Sequence, residues 1–293
     1  MIAAPVPPAL LTCPVCHGPL DAEDRALGCA EGHRFLAARQ GYFNLLTGRK
    51  SPLKEDTAEM VAARFEVLEA GLYDVLADRL AALAEGLLGP LPAPVILDGG
   101  TGTGYYLRRV LERLPAAFGI GLDRSRYALR RAAKVPRSVA LAWDLRRPLP
   151  VRDAAVDLAL DVFAPRNAPE LFRVVRPGGR VLVVTPAEGH LHGLEGLGLL
   201  SPHPGKAEAV GTAFTSVGFS ARAVEILTEQ RELDAALAAA VVAMGPAGHH
   251  HRPEAIRQRV AEVFAAGRAG TEPVGVSSRE VRLAFRIQQF ERP

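Results

Sequence analysis

The sequence predicts an α/β protein: a Rossmann-like, mostly parallel sheet preceded by a small N-terminal zinc-binding module. Three observations carry that expectation. From Pro92 onward, short apolar runs alternate with helical stretches of ten or so residues, the signature of βαβ units. A glycine-rich run, Asp98-Gly99-Gly100-Thr101-Gly102-Thr103-Gly104, sits between the first of those runs and a helical segment. All three cysteines fall within residues 13–29, with His33 close behind. A chain of 293 residues accommodates one large domain and a small accessory unit. We expect a zinc-binding module over 1–46, a helical linker over 47–91 and the main domain over 92–293.

The elements follow in order. Residues 1–11 are rich in Pro and Ala and are expected to be a mobile tail, with a compact cysteine unit over 12–46. Thr47 to Asp56 is polar and charged and reads as a connection. Met60, Phe65, Leu68, Leu72, Leu76, Leu80 and Leu83 recur at three- and four-residue steps, which predicts two helices over 57–89 with a break near Gly71. PVILDGG, AAFGIGLD, SVALAWD, VDLALDVF and RVLVVTP read as strands, and YYLRRVLERL, SRYALRRAAK and ELFRVV as the intervening helices. FSARAVEILTEQ and EVRLAFRIQQF read as an antiparallel edge pair, separated by the helical LDAALAAAVVAM and PEAIRQRVAEVFAA.

Composition sets outer bounds. Hydrophobic residues make up 48% of the chain, which excludes a disordered protein. No apolar run approaches the roughly 18 residues of a bilayer span, and no basic segment precedes the first apolar residues, so neither a membrane partner nor a secretory signal is expected and a cytoplasmic location is the default. The net charge of +3 permits an RNA partner without demanding one. Lys occurs only at Lys50, Lys54, Lys134 and Lys206, so Arg supplies nearly all the positive charge. Arg suits phosphate and base stacking, although GC-rich coding accounts for the same bias.

The cysteines form a four-ligand pattern: Cys13-x2-Cys16, twelve residues, then Cys29-x3-His33. Thiolates and an imidazole at such spacings can wrap tetrahedrally around one zinc, and four protein ligands leave no open position for water, so the metal is expected to be structural. His17 is a spare candidate, and a Cys13–Cys16 redox pair with Cys29 free is the alternative.

In the glycine run, residues without a Cβ let the backbone approach a ligand, and the following helix N-terminus offers free N–H groups to a carboxylate. The dinucleotide pattern G-x-G-x-x-G fits poorly, because Tyr105 stands where the third glycine belongs. Asp123 ends the next strand about 20 residues on, where an acid accepts hydrogen bonds from a ribose diol. Asp144 follows SVALAW within reach of an adenine amino group. Together these predict a carboxylate-bearing nucleoside cofactor, S-adenosylmethionine. A different nucleotide-binding fold is the rival reading.

LTCPVCHGPL, the C-x3-H pair, GYFNLL, DGGTGTGYY, FAPRNAPELFRVVRPGGR and VVTPAEGHL together resemble the bacterial 23S rRNA guanine-N1 methyltransferases, including the tylosin- and mycinamicin-resistance type. The resemblance covers most of the chain and implies a class I methyltransferase sheet. It implies Cys13, Cys16, Cys29 and His33 as zinc ligands. For the cofactor it implies Tyr73, Gly102 with Thr103, and His190, alongside Asp98, Gly100, Gly104, Asp123 and Asp144 from the loop reading. It also implies a 23S rRNA hairpin as partner, no DNA, a homodimer, and an RNA-recognition role for the zinc module. Arg25, Arg34, Arg39, Arg49 and Lys50 are the candidate phosphate contacts; the alternative is a module that merely covers an edge of the main domain. Guanine 748 of hairpin 35 and macrolide resistance are favoured over the neighbouring guanine 745.

Some positions depart from relatives: Thr101 stands where Cys is frequent, Gly99 where many have an aliphatic residue, and MGPAGHHHRPE replaces a stretch that carries an aromatic in some of them. His249 to His251 read as a solvated loop. For catalysis the candidates are Asp161, Phe163 and Asn167, at and just after the end of the fourth strand: Phe163 to stack on a guanine, Asn167 to read its edge. Asp161 is a candidate proton acceptor or simply a strand-end residue. Two rivals remain: a small-molecule methyltransferase with a zinc lid, and a non-catalytic RNA-binding protein with a vestigial cofactor site.

Overall fold

The protein is described by a computed structural model covering residues 6–47, 55–199, 206–266 and 278–293. Four short strands, β1 (Leu11–Thr12), β2 (Pro19–Glu23), β3 (Ala26–Gly28) and β4 (Arg34–Leu36), form an antiparallel sheet in that order. A fifth, β5 (Phe43–Asn44), leaves this sheet and joins the large one. Helices α1 (Ala58–Glu69) and α2 (Asp74–Leu88) follow. Thr57 caps α1 by accepting the Met60 N–H at 3.2 Å. Gly71, at φ +71°, turns the chain between the two helices as the spacing predicts.

The main domain then runs β6 (Val95–Gly99), α3 (Tyr105–Arg113), β7 (Phe118–Asp123), α4 (Arg126–Ala132), β8 (Ser138–Ala142), β9 (Val156–Val162), α5 (Ala168–Val174) and β10 (Val175–Pro186). It ends with α6 (Lys206–Thr215), β11 (Ser220–Asp234), α7 (Ala235–Ala243), α8 (Pro253–Ala266) and β12 (Ser278–Glu291). The sheet order is β11-β12-β10-β9-β6-β7-β8-β5. Pairings from β10 through β5 are parallel, and β12 is antiparallel to both β10 and β11. The chain direction across the sheet reverses around β6, whose neighbours are β7 and β9. In open α/β sheets the ligand crevice lies outside the strand carboxyl ends at such a switch point.

Alternate strand residues feed two cores. Ile96, Leu158 and Leu160 face the layer of α2, α3, α7 and α8, whereas Leu97 and Ala159 face the opposite layer with α5 and the zinc module. That second core is continuous with the module: Leu11, Cys13, Leu20, Leu27 and Phe43 pack in the same cluster as Leu97, Val151 and Val183. Backbone bonds join them as well, Thr12 N–H to Pro150 at 3.1 Å and Arg152 N–H to Leu10 at 3.0 Å.

Two expectations change. The N-terminal stretch is not a mobile tail from residue 6 onward, because Val6, Leu10 and Leu11 are buried and β1 pairs with β2; residues 1–5 lie outside the described set. Phe65, part of the apolar stripe, is exposed rather than buried, since α1 turns that face away from the sheet. No described helix is long and apolar enough to cross a membrane.

Candidate active site and metal centre

Two tight turns build the metal centre. Cys13 N–H donates to the Gly18 carbonyl (2.8 Å) and His17 N–H to the Cys13 carbonyl (2.9 Å), so Cys13 and Cys16 share one knuckle. In the second, Cys29 N–H donates to His33 (3.1 Å) and Gly32 N–H to Cys29 (2.9 Å), with Gly32 at φ +80°. The ligand atoms of Cys13, Cys16, Cys29 and His33 all lie within 4.8 Å of one another. Cys16 Sγ and Cys29 Sγ are 3.6 Å apart, and Cys29 Sγ and His33 Nδ1 3.3 Å. Zn–S bonds of about 2.3 Å put tetrahedral sulfurs roughly 3.8 Å apart, so the set fits zinc. His17, exposed at φ +61°, is outside it. The four ligands are closed, and the metal is structural.

At the switch point, β6 delivers Asp98 and then the glycine loop. Gly100 and Thr101 N–H both donate to the Leu122 carbonyl, at 2.8 and 2.9 Å, which folds the loop over the end of β7. Gly100, Gly102 and Gly104 all have positive φ. A Cβ at Gly100 would lie 2.5 Å from Ala164 Cβ, and one at Gly104 would lie 2.7 Å from Val135, so packing excludes a side chain at both. Gly102 differs: a Cβ there meets nothing nearer than the Gly100 carbonyl at 3.9 Å. It borders open space, a cradle that a side chain would fill. Thr103 is half-buried beside it.

The acids divide by role. Asp98 is buried and accepts the Thr101 hydroxyl at 2.7 Å; burial, opposed by that bond and aided by Asp123, raises it to about 7. Asp123 accepts Gly102 N–H at 2.9 Å through one oxygen and Ser125 N–H at 2.7 Å through the other. Burial raises its pKa. Each oxygen keeps a further lone pair for a diol. Asp144 is gripped by Arg146, at 3.0 Å from Nε and 2.8 Å from Nη2, so its carboxylate is already spent on a partner.

Asp161, the penultimate residue of β9, lies opposite Gly99 and is only 2% exposed. Its Oδ1 has no hydrogen-bond partner among the described residues. Desolvation raises it to about 8 against the pull of Arg166, with Asp98 adding to the rise. Beside it, Phe163 is 39% exposed and held at φ +55°. That left-handed backbone is costly for a bulky residue and tends to mark functional sites. Asn167 donates to the Leu145 carbonyl at 2.8 Å and more weakly to Arg147 at 3.4 Å. Its amide hydrogens therefore clasp a loop rather than point into the crevice.

Tyr73 and His190, distant in sequence, meet around Phe163. All pairs among Tyr73, Phe163, His190 and Phe285 are in ring contact, with centroids from 5.1 to 6.4 Å apart. Burial lowers His190 to about 4, and its Nδ1 accepts the Ala284 N–H at 3.2 Å, so the imidazole is neutral. Burial also keeps the Tyr73 phenol protonated. Phe285 was not singled out by sequence reasoning; its alternation in β12 marks it only as core.

Among the basic candidates, Arg25, Arg34 and Arg39 are exposed on the module, with Arg34 3.1 Å from Glu23. Arg49 and Lys50 lie outside the described residues. The histidine loop is only partly solvated. His249 Nε2 lies 3.6 Å from Asp56, which also takes Arg64 at 2.5 Å, while His250 and His251 are exposed.

Residues 11–50 match the zinc-ribbon family described as "RlmA, N-terminal". The chain is 44% identical over 259 residues to the 23S rRNA (guanine(748)-N(1))-methyltransferase of Streptomyces fradiae, covering 86% of this chain and 90% of that one. It is 42% identical over 296 residues to a Micromonospora griseorubida protein provisionally named a 23S rRNA (guanine-N(1)-)-methyltransferase, covering 94% and 96%. A malonyl-[acyl-carrier protein] O-methyltransferase of Herminiimonas arsenicoxydans is 36% identical but spans only 46% of this chain. A solved structure from Anaeromyxobacter dehalogenans, provisionally described as a type II methyltransferase, shares the fold with a TM-score of 0.52 at 19% identity, covering 72% of this chain and 94% of that one.

Proposed function

The chain belongs to the 23S rRNA (guanine-N1)-methyltransferase family, and from that premise we propose that it methylates N1 of guanine 748 in hairpin 35 of 23S rRNA and so confers macrolide resistance. The observation that carries this reading is the 44% identity to the Streptomyces fradiae enzyme over 86% of the chain, beside the ribbon-family match over residues 11–50. The O-methyltransferase relative aligns with less than half of the chain, whereas the rRNA-methyltransferase relatives align with 86% and 94% of it.

When bound, S-adenosylmethionine supplies an electrophilic methyl group on a sulfonium. We assign Gly102 and Thr103 to its close approach and Asp123 to its ribose diol, with Asp98 and Gly104 shaping the turn. Tyr73 and His190 wall the methyl-donor end with uncharged rings. Phe163 offers its exposed ring as a stacking face for a guanine displaced from the RNA. Holding N1 in line with the methyl carbon supplies much of the acceleration. Guanine N1 carries a proton, which a group of the protein would have to accept on methylation. Asp161 is the assigned acceptor: its unmatched oxygen is carried at the end of β9, two residues before Phe163, and a carboxyl near 8 is balanced close to working pH. The zinc ribbon grips the hairpin.

We further assign a homodimer. β11 is the outermost strand and leaves Val224 and Ile226 57% and 50% exposed, an apolar surface suited to a second copy. Primer extension across hairpin 35 of treated 23S rRNA tests the target. A new stop at guanine 748 is expected. A stop at guanine 745 would reassign the nucleotide, and no stop with folded, cofactor-bound protein would overturn the reading.

A further inference from the structure

We propose that the groove between α1, α3 and α4 is a phosphate-backbone site for the RNA, placed between the zinc ribbon and the catalytic crevice; this rests on the rRNA-methyltransferase reading above. The groove holds about 560 Å³. Arg108, Arg130, Arg131 and Lys134 line it, with Glu69 as the one described acid and Phe65 as an apolar wall. That concentration is not the average surface of a chain with 35 basic and 32 acidic residues.

The cations are held apart rather than neutralised. Glu69 reaches only Arg108, at 3.7 Å and half exposed, a pair worth little in water. Among the described residues no carboxylate pairs with Arg130, Arg131 or Lys134. Instead, Arg131 lies over the Phe65 ring at 4.3 Å and Arg130 over Tyr127 at 5.2 Å. Guanidinium planes parked on aromatic faces keep their N–H edges available for phosphate. Exposed aromatics interleaved with Arg are also what stacks unpaired bases.

Position connects the groove to the chemistry. At one end it reaches Gln40 of the ribbon, whose neighbour Gly41 sits close enough that a Cβ there would touch Ala133 at 3.7 Å. At the other, it is lined by Thr103 and Gly104 of the glycine loop. RNA gripped by the ribbon and presenting a base to the crevice has its backbone beside these four cations.

The test uses full-length zinc-loaded protein, a hairpin 35 transcript, and the exposed pair R130Q/K134Q. Arg131 is left intact because it packs on Phe65. R257Q, on the distant α8, controls for loss of any surface charge, and melting and cofactor affinity control for folding. The double variant is expected to bind the hairpin at least tenfold more weakly. Its slope of log affinity against log salt should be shallower by about two, one for each lost phosphate contact, with KM raised and kcat nearly unchanged. If wild type methylates the hairpin and the double variant matches it in affinity and slope, the groove assignment is wrong and the enzymatic reading stands. If affinity depends on the groove but no methyl is transferred, the groove stands and the enzymatic reading falls. Wild type that neither binds nor methylates the hairpin removes both.

Discussion

Asp161 shows how one side chain links stability to chemistry. Its folded pKa of about 8 lies above the roughly 3.9 of an unfolded Asp. The fold therefore favours the protonated carboxyl, and stability is lost progressively as pH rises from about 4 through 8. D161N should remove that penalty, being more stable than wild type at pH 8 by on the order of a few kcal/mol and melting higher, with the gain shrinking toward pH 4. The same variant should lose about 10²-fold or more in kcat while keeping cofactor affinity within a few fold. Wild-type kcat/KM should rise with pH up to about 8. Thermal melts at two pH values and a pH–rate profile check these expectations, and an unaltered rate would strip Asp161 of its role. Gly102→Asp makes a second residue-scale case. Its Cβ would enter open space at φ +55°, so the backbone strain is only about 1–2 kcal/mol. The new carboxylate beside Asp123 should nevertheless lower cofactor affinity at least 100-fold by calorimetry. At this scale the sequence marked Asp123 and the glycines through spacing alone. It did not mark Phe285, because a strand's alternation says buried without saying beside what. Nor could it foresee that Asp144 and Asn167 spend their polar atoms on Arg146 and on backbone carbonyls, since those partners come from local loop geometry.

At the scale of elements, the ribbon tests how the parts are joined. Cys13 is fully buried in the core that the ribbon shares with the main sheet, and β5 pairs with β8. C13S should therefore release zinc and lower a single, common melting transition rather than detach an independent unit. Structural zinc carries folding free energy directly. Calorimetry showing two transitions, with the larger unmoved, would mean the units are separable after all. The outer strand supports another prediction. V224E/I226E should convert a dimer to a monomer in light scattering without unfolding it; an unchanged mass would place any dimer contact elsewhere. Helices and strands were readable from period and turn residues, including the break at Gly71 between the linker helices and the β11–β12 pair of the main domain. What periodicity missed was where a face points: Phe65 repeats like a core residue yet sits in the basic groove, and the first eleven residues look like a tail although Leu10 and Leu11 are buried.

For the whole molecule, the arrangement is one sheet with a crevice at its switch point, a ring cluster around Phe163, and a cationic groove that reaches from the glycine loop to Gln40 of the ribbon. The fold class was legible because alternating strands and helices leave few topologies. The groove was not, because Arg108 comes from α3 and Arg130 and Lys134 from α4 and the turn after it, which only the fold brings side by side. The claim at the centre is that this crevice moves a methyl group onto a guanine N1. Mass analysis of a hairpin 35 transcript, incubated with S-adenosylmethionine and the zinc-loaded protein, tests it most directly. The account predicts a single added methyl on one guanine, lost in Gly102→Asp and strongly slowed in D161N. Folded wild-type protein that binds the cofactor and leaves every guanine unmodified would contradict it.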